Sequence, residues 1–144
     1  MKTNHIPAGY HTITPYLVVK NASTLIDFLK EVFDAKETER VKAPNGRIMH
    51  AELLIGDSKI MLGEAAENII TSPSTLYIYV PNTDAVYKKA LAAGGKSIKE
   101  PDDQYYGDRN AGIQDIAGNK WWIATHIEDV SSEELKKRTS SVKS

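Results

Sequence analysis

The chain has 144 residues, 41% of them hydrophobic and 26% charged, with a formal net charge of −1 at pH 7. That length suits one compact domain or two very small ones, and a near-neutral balance supplies no basic field to draw in nucleic acid or an anionic membrane. Cysteine is absent, which excludes disulfides, thiolate zinc sites, iron–sulfur clusters and cysteine nucleophiles.

The N-terminal stretch MKTNHIPAGYHTITPYLVV has no apolar core of signal-peptide length. No segment approaches the roughly 18 apolar residues of a membrane helix. A cytoplasmic protein without nucleic-acid or membrane partners is expected. TITPYLVV (12–19) is β-branched and aromatic and reads as a strand, with Pro15 marking an edge or a ladder irregularity. In NASTLIDFLKEVF (21–33), Leu25, Phe28, Leu29 and Val32 recur at helical spacing, and Asn21 or Ser23 can cap. KETERVKAPNGRIMHAELLIG then holds two strands around an Asn45-Gly46 turn. Gly56-Asp57 turns the chain again before KIMLGE.

The second half repeats this order. SPSTLYIYV (72–80) is a strand entered through Pro73, and NTDAVYKKALAAG (82–94) a helix capped by Asn82 or Thr83 and stopped at Gly94-Gly95. Three short strands follow, with turns expected near Pro101-Asp102, Gly107-Asp108 and Ala117-Gly118-Asn119. Each half therefore reads β-α-β-β-β. At an offset of 61, Thr14, Tyr16, Val19 and Asn21 meet Thr75, Tyr77, Val80 and Asn82. At 62, Arg47 and Gly56 meet Arg109 and Gly118. The tail SSEELKKRTSSVKS is polar, with a short helix capped by Ser131 or Ser132 and a loose end.

The stretches HTITPYLVV (11–19), GRIMHAELLIGDSKIML (46–62), YYGDRNAGIQDIAGNKWWIATH (105–126) and the following EDV, in this order, resemble the vicinal oxygen chelate superfamily of glyoxalases, bleomycin-resistance proteins and dioxygenases, in its PhnB-like branch. The resemblance implies an α+β fold: one domain over residues 1–130, built of two βαβββ modules (about 10–64 and 72–127) whose curled mixed sheets form a concave cleft with helices outside, followed by the tail 131–144. It also implies a homodimer.

Many superfamily members hold a divalent metal with one His, Glu or Gln on each of four strands. Carried onto this chain, those positions fall on Thr14, Thr75, Trp122, and Ile60 or Met61. Threonine hydroxyls are poor ligands for such an ion and tryptophan is none. A metal cofactor is therefore not expected; a shifted site using Glu64 and His126 is the alternative.

Strand parity sorts the remaining candidates. With Thr14, Thr75 and Trp122 toward the cleft, Tyr16, Val18, Tyr77 and Tyr79 share that side. Ile13, Leu17, Val19 and Trp121 take the other. In the third strand, Met49, Ala51, Leu53 and Ile55 form the apolar face, leaving His50 and Glu52 toward the cleft. The expected ligand-binding set is Tyr16, His50, Glu52, Tyr77, Tyr79, Arg109 and Trp122, aromatic walls with sparse polar groups. Arg109 is either an anion clamp or a structural hairpin arginine whose repeat mate is Arg47. His50 and Glu52 are candidates for acid–base work, but same-face neighbours on a strand lie about 6.5–7 Å apart and need bent side chains or a water to meet. The leading expectation is a metal-free binder of a small organic molecule, aromatic or antibiotic-like. The alternative is a metal-dependent or His-dependent lyase, isomerase or dioxygenase of the same superfamily.

Overall fold

The computed structural model describes residues 3–140. The chain forms two compact units, one running to Ser74 and including Ile116–Gly118, the other comprising Thr75–Asp115 and the residues from Asn119 onward. Each carries a four-stranded mixed sheet and a helix, so the fold is α+β with two βαβββ modules, as expected.

The first unit runs β1 (Tyr16–Val19), α1 (Ala22–Phe33), β2 (Lys36–Lys42), β3 (Ile48–Ile55), β4 (Ser58–Glu64). Its strands lie in the order β1-β4-β3-β2, with β1 parallel to β4 and the other pairs antiparallel. The helical periodicity places Leu25, Phe28, Leu29 and Val32 in the core with Ala22, Ile26 and Phe33, packed on β3 and β4. Burying each large side chain stabilises the unit by roughly 1.5–3 kcal/mol. The helix ends at Asp34, which takes a left-handed conformation and returns Ala35 N–H to Leu29 O.

The second unit runs β5 (Thr75–Tyr79), α2 (Thr83–Ala92), β6 (Lys96–Asp103), β7 (Asp108–Gln114), β8 (Lys120–His126) and α3 (Ser132–Thr139). Its order, β5-β8-β7-β6 with β5 parallel to β8, repeats the first. The repeat is one of register too. Tyr16 pairs with Met61 and Tyr77 with Trp122, both 61 residues on (77 minus 16; 122 minus 61). The β7–β8 hairpin turns at Gly118, whose φ of 91° only glycine adopts readily. Beneath the turn, buried Asp115 accepts hydrogen bonds from Asn119 N–H (3.0 Å), Asn119 Nδ2 (3.0 Å) and Trp121 Nε1 (2.8 Å). Ser131 caps α3 by accepting from Glu134 N–H. The tail's end, expected to be loose, lies outside the described residues.

Four expectations need correction. β1 starts at Tyr16, so Ile13 precedes the ladder and is exposed instead of facing the helix. Met49 is exposed and Ile48 buried, because the β2–β3 register slips between Val41–His50 and Lys42–Ile48 and Met49 is the extra residue. Pro101 makes no turn: it lies within β6, an edge strand, where the register shifts between Lys99 and Asp102. The chain turns at Gln104–Gly107, where the turn near Gly107-Asp108 was expected. Finally, Asn21 sits at the start of α1 but makes no side-chain cap.

Candidate ligand-binding site

In each unit one sheet face carries the helix and the other carries the expected site residues, Arg109 excepted. On the first sheet, Tyr16 and Val18 are exposed while Leu17 and Val19 are buried, as the alternation requires. The Tyr16 and His50 rings lie 6.1 Å apart, and the Tyr16 hydroxyl comes over Gly63, where a Cβ would sit 2.7 Å from it. His50 Nε2 meets Glu52 Oε2 directly at 3.2 Å. The side chains bend toward each other, closing the separation that the strand rise sets for their Cα atoms.

On the second sheet, Trp122 stands between Tyr77 on β5 and Gly112 on β7. Its ring lies on Gly112: a Cβ there would be 2.5 Å from Trp122 Cζ3. Tyr77, Trp122, Lys99, Gln104, Tyr106 and Asn110 line a pocket of about 400 Å³. Trp121 points the other way and is buried.

One group the sequence reading passed over organises this face. Asp108 is 3% exposed and accepts hydrogen bonds from Tyr77 Oη (2.6 Å) and Tyr79 Oη (3.0 Å) on Oδ2, while its Oδ1 meets His126 Nδ1 at 2.9 Å. Burial opposes its charge, but the bonds from Tyr77, His126 and Tyr79 outweigh it and hold the carboxyl below its usual range. Burial, then the bond to Asp108, pushes the Tyr77 phenol far up, and the Asp108 bond does the same for Tyr79 to a lesser degree. Both tyrosines are therefore neutral donors. Bonds to Asp108 and then Asp129 raise His126. Asn110, also buried, connects this network to the pocket: its Nδ2 donates to Tyr106 Oη (2.6 Å) and Tyr77 Oη (3.3 Å), and its Oδ1 accepts from Lys99 Nζ (3.0 Å).

Arg109, next in sequence to Asp108, leaves β7 on the opposite face. Its Nε and Nη2 donate to both oxygens of Asp84 on α2, and its Nη1 donates to Asp103. The fork expected to hold a ligand anion is filled by the chain's own carboxylates. Its repeat mate Arg47 donates to Glu64 O. Tyr16, His50 and Glu52 thus share one sheet face of the first unit, Tyr77, Tyr79 and Trp122 share one of the second, and Arg109 stands apart.

The residues at the superfamily's metal positions do not fit a metal. The ladder registers pair Tyr16 with Met61 as Tyr77 with Trp122, so Met61 rather than Ile60 is the counterpart of Trp122. The donor set is then Thr14, Met61, Thr75 and Trp122, which offers neither imidazole nor carboxylate to a divalent ion. His126 has both ring nitrogens on carboxylates of its own unit. Among the described residues no three His, Asp or Glu side chains gather as a metal-holding group, and no helix is long and apolar enough to cross a membrane.

Comparisons with known proteins agree with this architecture. The chain is 31% identical over 140 residues to the uncharacterised protein Mb0911c of Mycobacterium bovis, spanning 90% of this chain and 92% of that one. The crystal structure of TioX from Micromonospora superposes with a TM-score of 0.68 at 23% identity, covering 81% of this chain and 99% of TioX. A Bacillus cereus structure described as a putative 3-demethylubiquinone-9 3-methyltransferase, PhnB protein, superposes with a TM-score of 0.63 at 16% identity, covering 80% of this chain and 99% of that one. These two structures share the fold. The model of the Glyoxalase/Bleomycin resistance protein/Dioxygenase superfamily matches residues 8–123, and the chain belongs to that family.

Proposed function

We propose that this protein is a PhnB-like, metal-free member of the superfamily that binds a small planar organic molecule, aromatic or antibiotic-like, and acts as a homodimer. The observation that carries the reading is the pocket of about 400 Å³ on the second sheet, with Tyr77, Tyr106 and Trp122 as walls and Lys99, Gln104 and Asn110 as polar groups. Apolar walls with few convergent polar groups suit a small ligand. Indole and phenol rings can stack a planar molecule while neighbouring donors orient it. The donor set at the superfamily's metal positions supports a binder without a metal.

The test is a thermal-shift and tryptophan-emission screen of the purified protein against aromatic metabolites and antibiotics. A ligand at a hundred times its Kd should raise the melting temperature by roughly 5–10 °C, and the emission change should disappear in Trp122→Ala. A screen in which nothing shifts either signal counts against the reading. Stoichiometric Ni, Zn, Fe or Mn after mild purification would overturn its metal-free part, and light scattering showing a monomer would overturn the dimer.

One observation favours a second reading, an enzyme. The 3.2 Å contact between His50 and Glu52 is the arrangement in which a carboxylate orients an imidazole as a general base. Turnover of a hemithioacetal or a catechol that is lost in His50→Ala would establish it.

A further inference from the structure

We infer that the pocket of the second unit selects a planar aromatic anion, a carboxylate or a phenolate, through Lys99. This deepens the binding reading above and rests on it. The first ground is charge. Of the six residues lining the pocket, Lys99 is a cation and none is an acid. Three carboxylates of β6 and β7 are engaged by other groups. Asp108 holds Tyr77, Tyr79 and His126; Asp103 holds Arg109; Asp102 Oδ1 accepts from Asp103 N–H. The two arginines of this unit have carboxylate partners, Arg109 with Asp84 and Asp103, Arg138 with Glu128 and Glu134. Lys99 instead meets a neutral amide oxygen, Asn110 Oδ1, at 3.0 Å.

The second ground is how that amide is held. Asn110 is 4% exposed, and its Nδ2 is engaged by Tyr106 and Tyr77. Its orientation is thereby fixed with Oδ1 toward Lys99, which positions the ammonium at the pocket without neutralising it. An ammonium has three donors and this bond uses one, so an anionic ligand oxygen can be bound without breaking the contact. The third ground is the wall. Trp122 rests on Gly112, which supports one side of the indole from beneath. A flat ring can stack there while its anionic substituent reaches Lys99. Aromatic and anionic selection therefore come from different residues, and they separate experimentally.

The probes are 1-naphthoate and its neutral counterpart 1-naphthamide, titrated by tryptophan quenching and by NMR shifts of the Asn110 side-chain amide. The wild-type protein should bind naphthoate about tenfold or more tighter, the margin expected of a charge-assisted hydrogen bond over a neutral one. Lys99→Met should erase that preference, bringing the naphthoate affinity down to that of naphthamide, while Lys99→Arg retains the preference. Circular dichroism and an amide NMR spectrum with wild-type dispersion confirm that the Lys99→Met protein is folded. Equal affinity for the two probes in the wild type, with the Asn110 amide shifting, would overturn the anion inference and leave the binding reading standing. Failure of both probes to bind would overturn the two together.

Discussion

At Gly112 a single hydrogen atom sets the position of the pocket wall. A methyl group there would sit 2.5 Å from Trp122 Cζ3 and 2.9 Å from Cε3, so the ring would have to leave its seat. Gly112→Ala is expected to cost about 1–3 kcal/mol, the usual price of overpacking, and to shift tryptophan emission while weakening ligand binding. Urea unfolding and emission spectra check this; an unchanged spectrum with an unchanged midpoint would mean that the indole does not rest there. Tyr16, Tyr77, Tyr79 and Trp122 were legible from sequence because period-two alternation places a side chain on a face without knowledge of its partners. Asp108 was not. Its place beside Gly107 reads as a turn, and its neighbour Arg109 points to the opposite face, as adjacent residues on a strand do. The same parity, run from Trp122 across to Gly112 and back along β7 to Asn110 and Asp108, contains the signal. What sequence cannot supply is the convergence of Tyr77, Tyr79 and His126 on that carboxylate, because it joins residues about 20 to 30 positions distant along the chain.

At the scale of the element, the two helices occupy equivalent places in the repeat and begin with the same residue type, yet their starts differ. Asn82 is extended (φ −144°, ψ 96°) and its side chain accepts from Ala85 N–H at 3.1 Å. Asn21 (φ −117°, ψ 61°) makes no such bond. Asn82→Ala should therefore destabilise by about 1 kcal/mol, whereas Asn21→Ala should fall within roughly 0.5 kcal/mol of wild type, as for a surface change that removes no contact. Urea midpoints of the two variants decide this, and equal losses would contradict the assigned caps. Sequence treats the two asparagines alike because residue type signals a cap and backbone geometry makes one. The strand irregularities follow the same logic. A bulge at Met49 shifts the hydrophobic alternation by one residue, so Ile48 enters the core in its place. Pro101 looks like a turn residue, but an edge strand with a register shift accommodates its missing N–H. The element order itself was readable because helical spacing at Leu25, Phe28, Leu29 and Val32 and alternation in the strands are strong, local and repeated.

Across the whole molecule, the perturbed groups set how stability responds to pH, and they act on two different sides. Glu37 lies below its ordinary value because its bonds to Arg40 and Lys30 outweigh burial; Asp84 and Glu128 are lowered chiefly by Arg109 and Arg138, and Asp108 by its hydrogen bonds against burial. Each of these carboxylates contributes stability that is present above its unfolded value near 4 and is lost as pH falls through the lower folded value. His126 works in the opposite direction. Its bonds to Asp108 and Asp129 raise it, so its contribution is complete below about 6.5 and is lost as pH climbs through the folded value. In that upper range the folded chain holds more protons than the unfolded one, which makes the slope of stability against pH negative. Stability should therefore be greatest on the mildly acidic side of neutrality, decline gently from about pH 6.5 upward, and fall steeply below about pH 4. His126 is half-exposed and Asp129 fully so, which keeps the alkaline decline small and sensitive to salt. The check is a series of urea midpoints from pH 3 to 9 for the wild type and His126→Gln. Glutamine can still donate to Asp108 but does not titrate, so the variant should lose the alkaline decline and keep the acid one. A wild-type profile that rises between pH 6.5 and 8, or a decline that persists unchanged in His126→Gln, would show that the imidazolium bridging Asp108 and Asp129 does not set the upper limit.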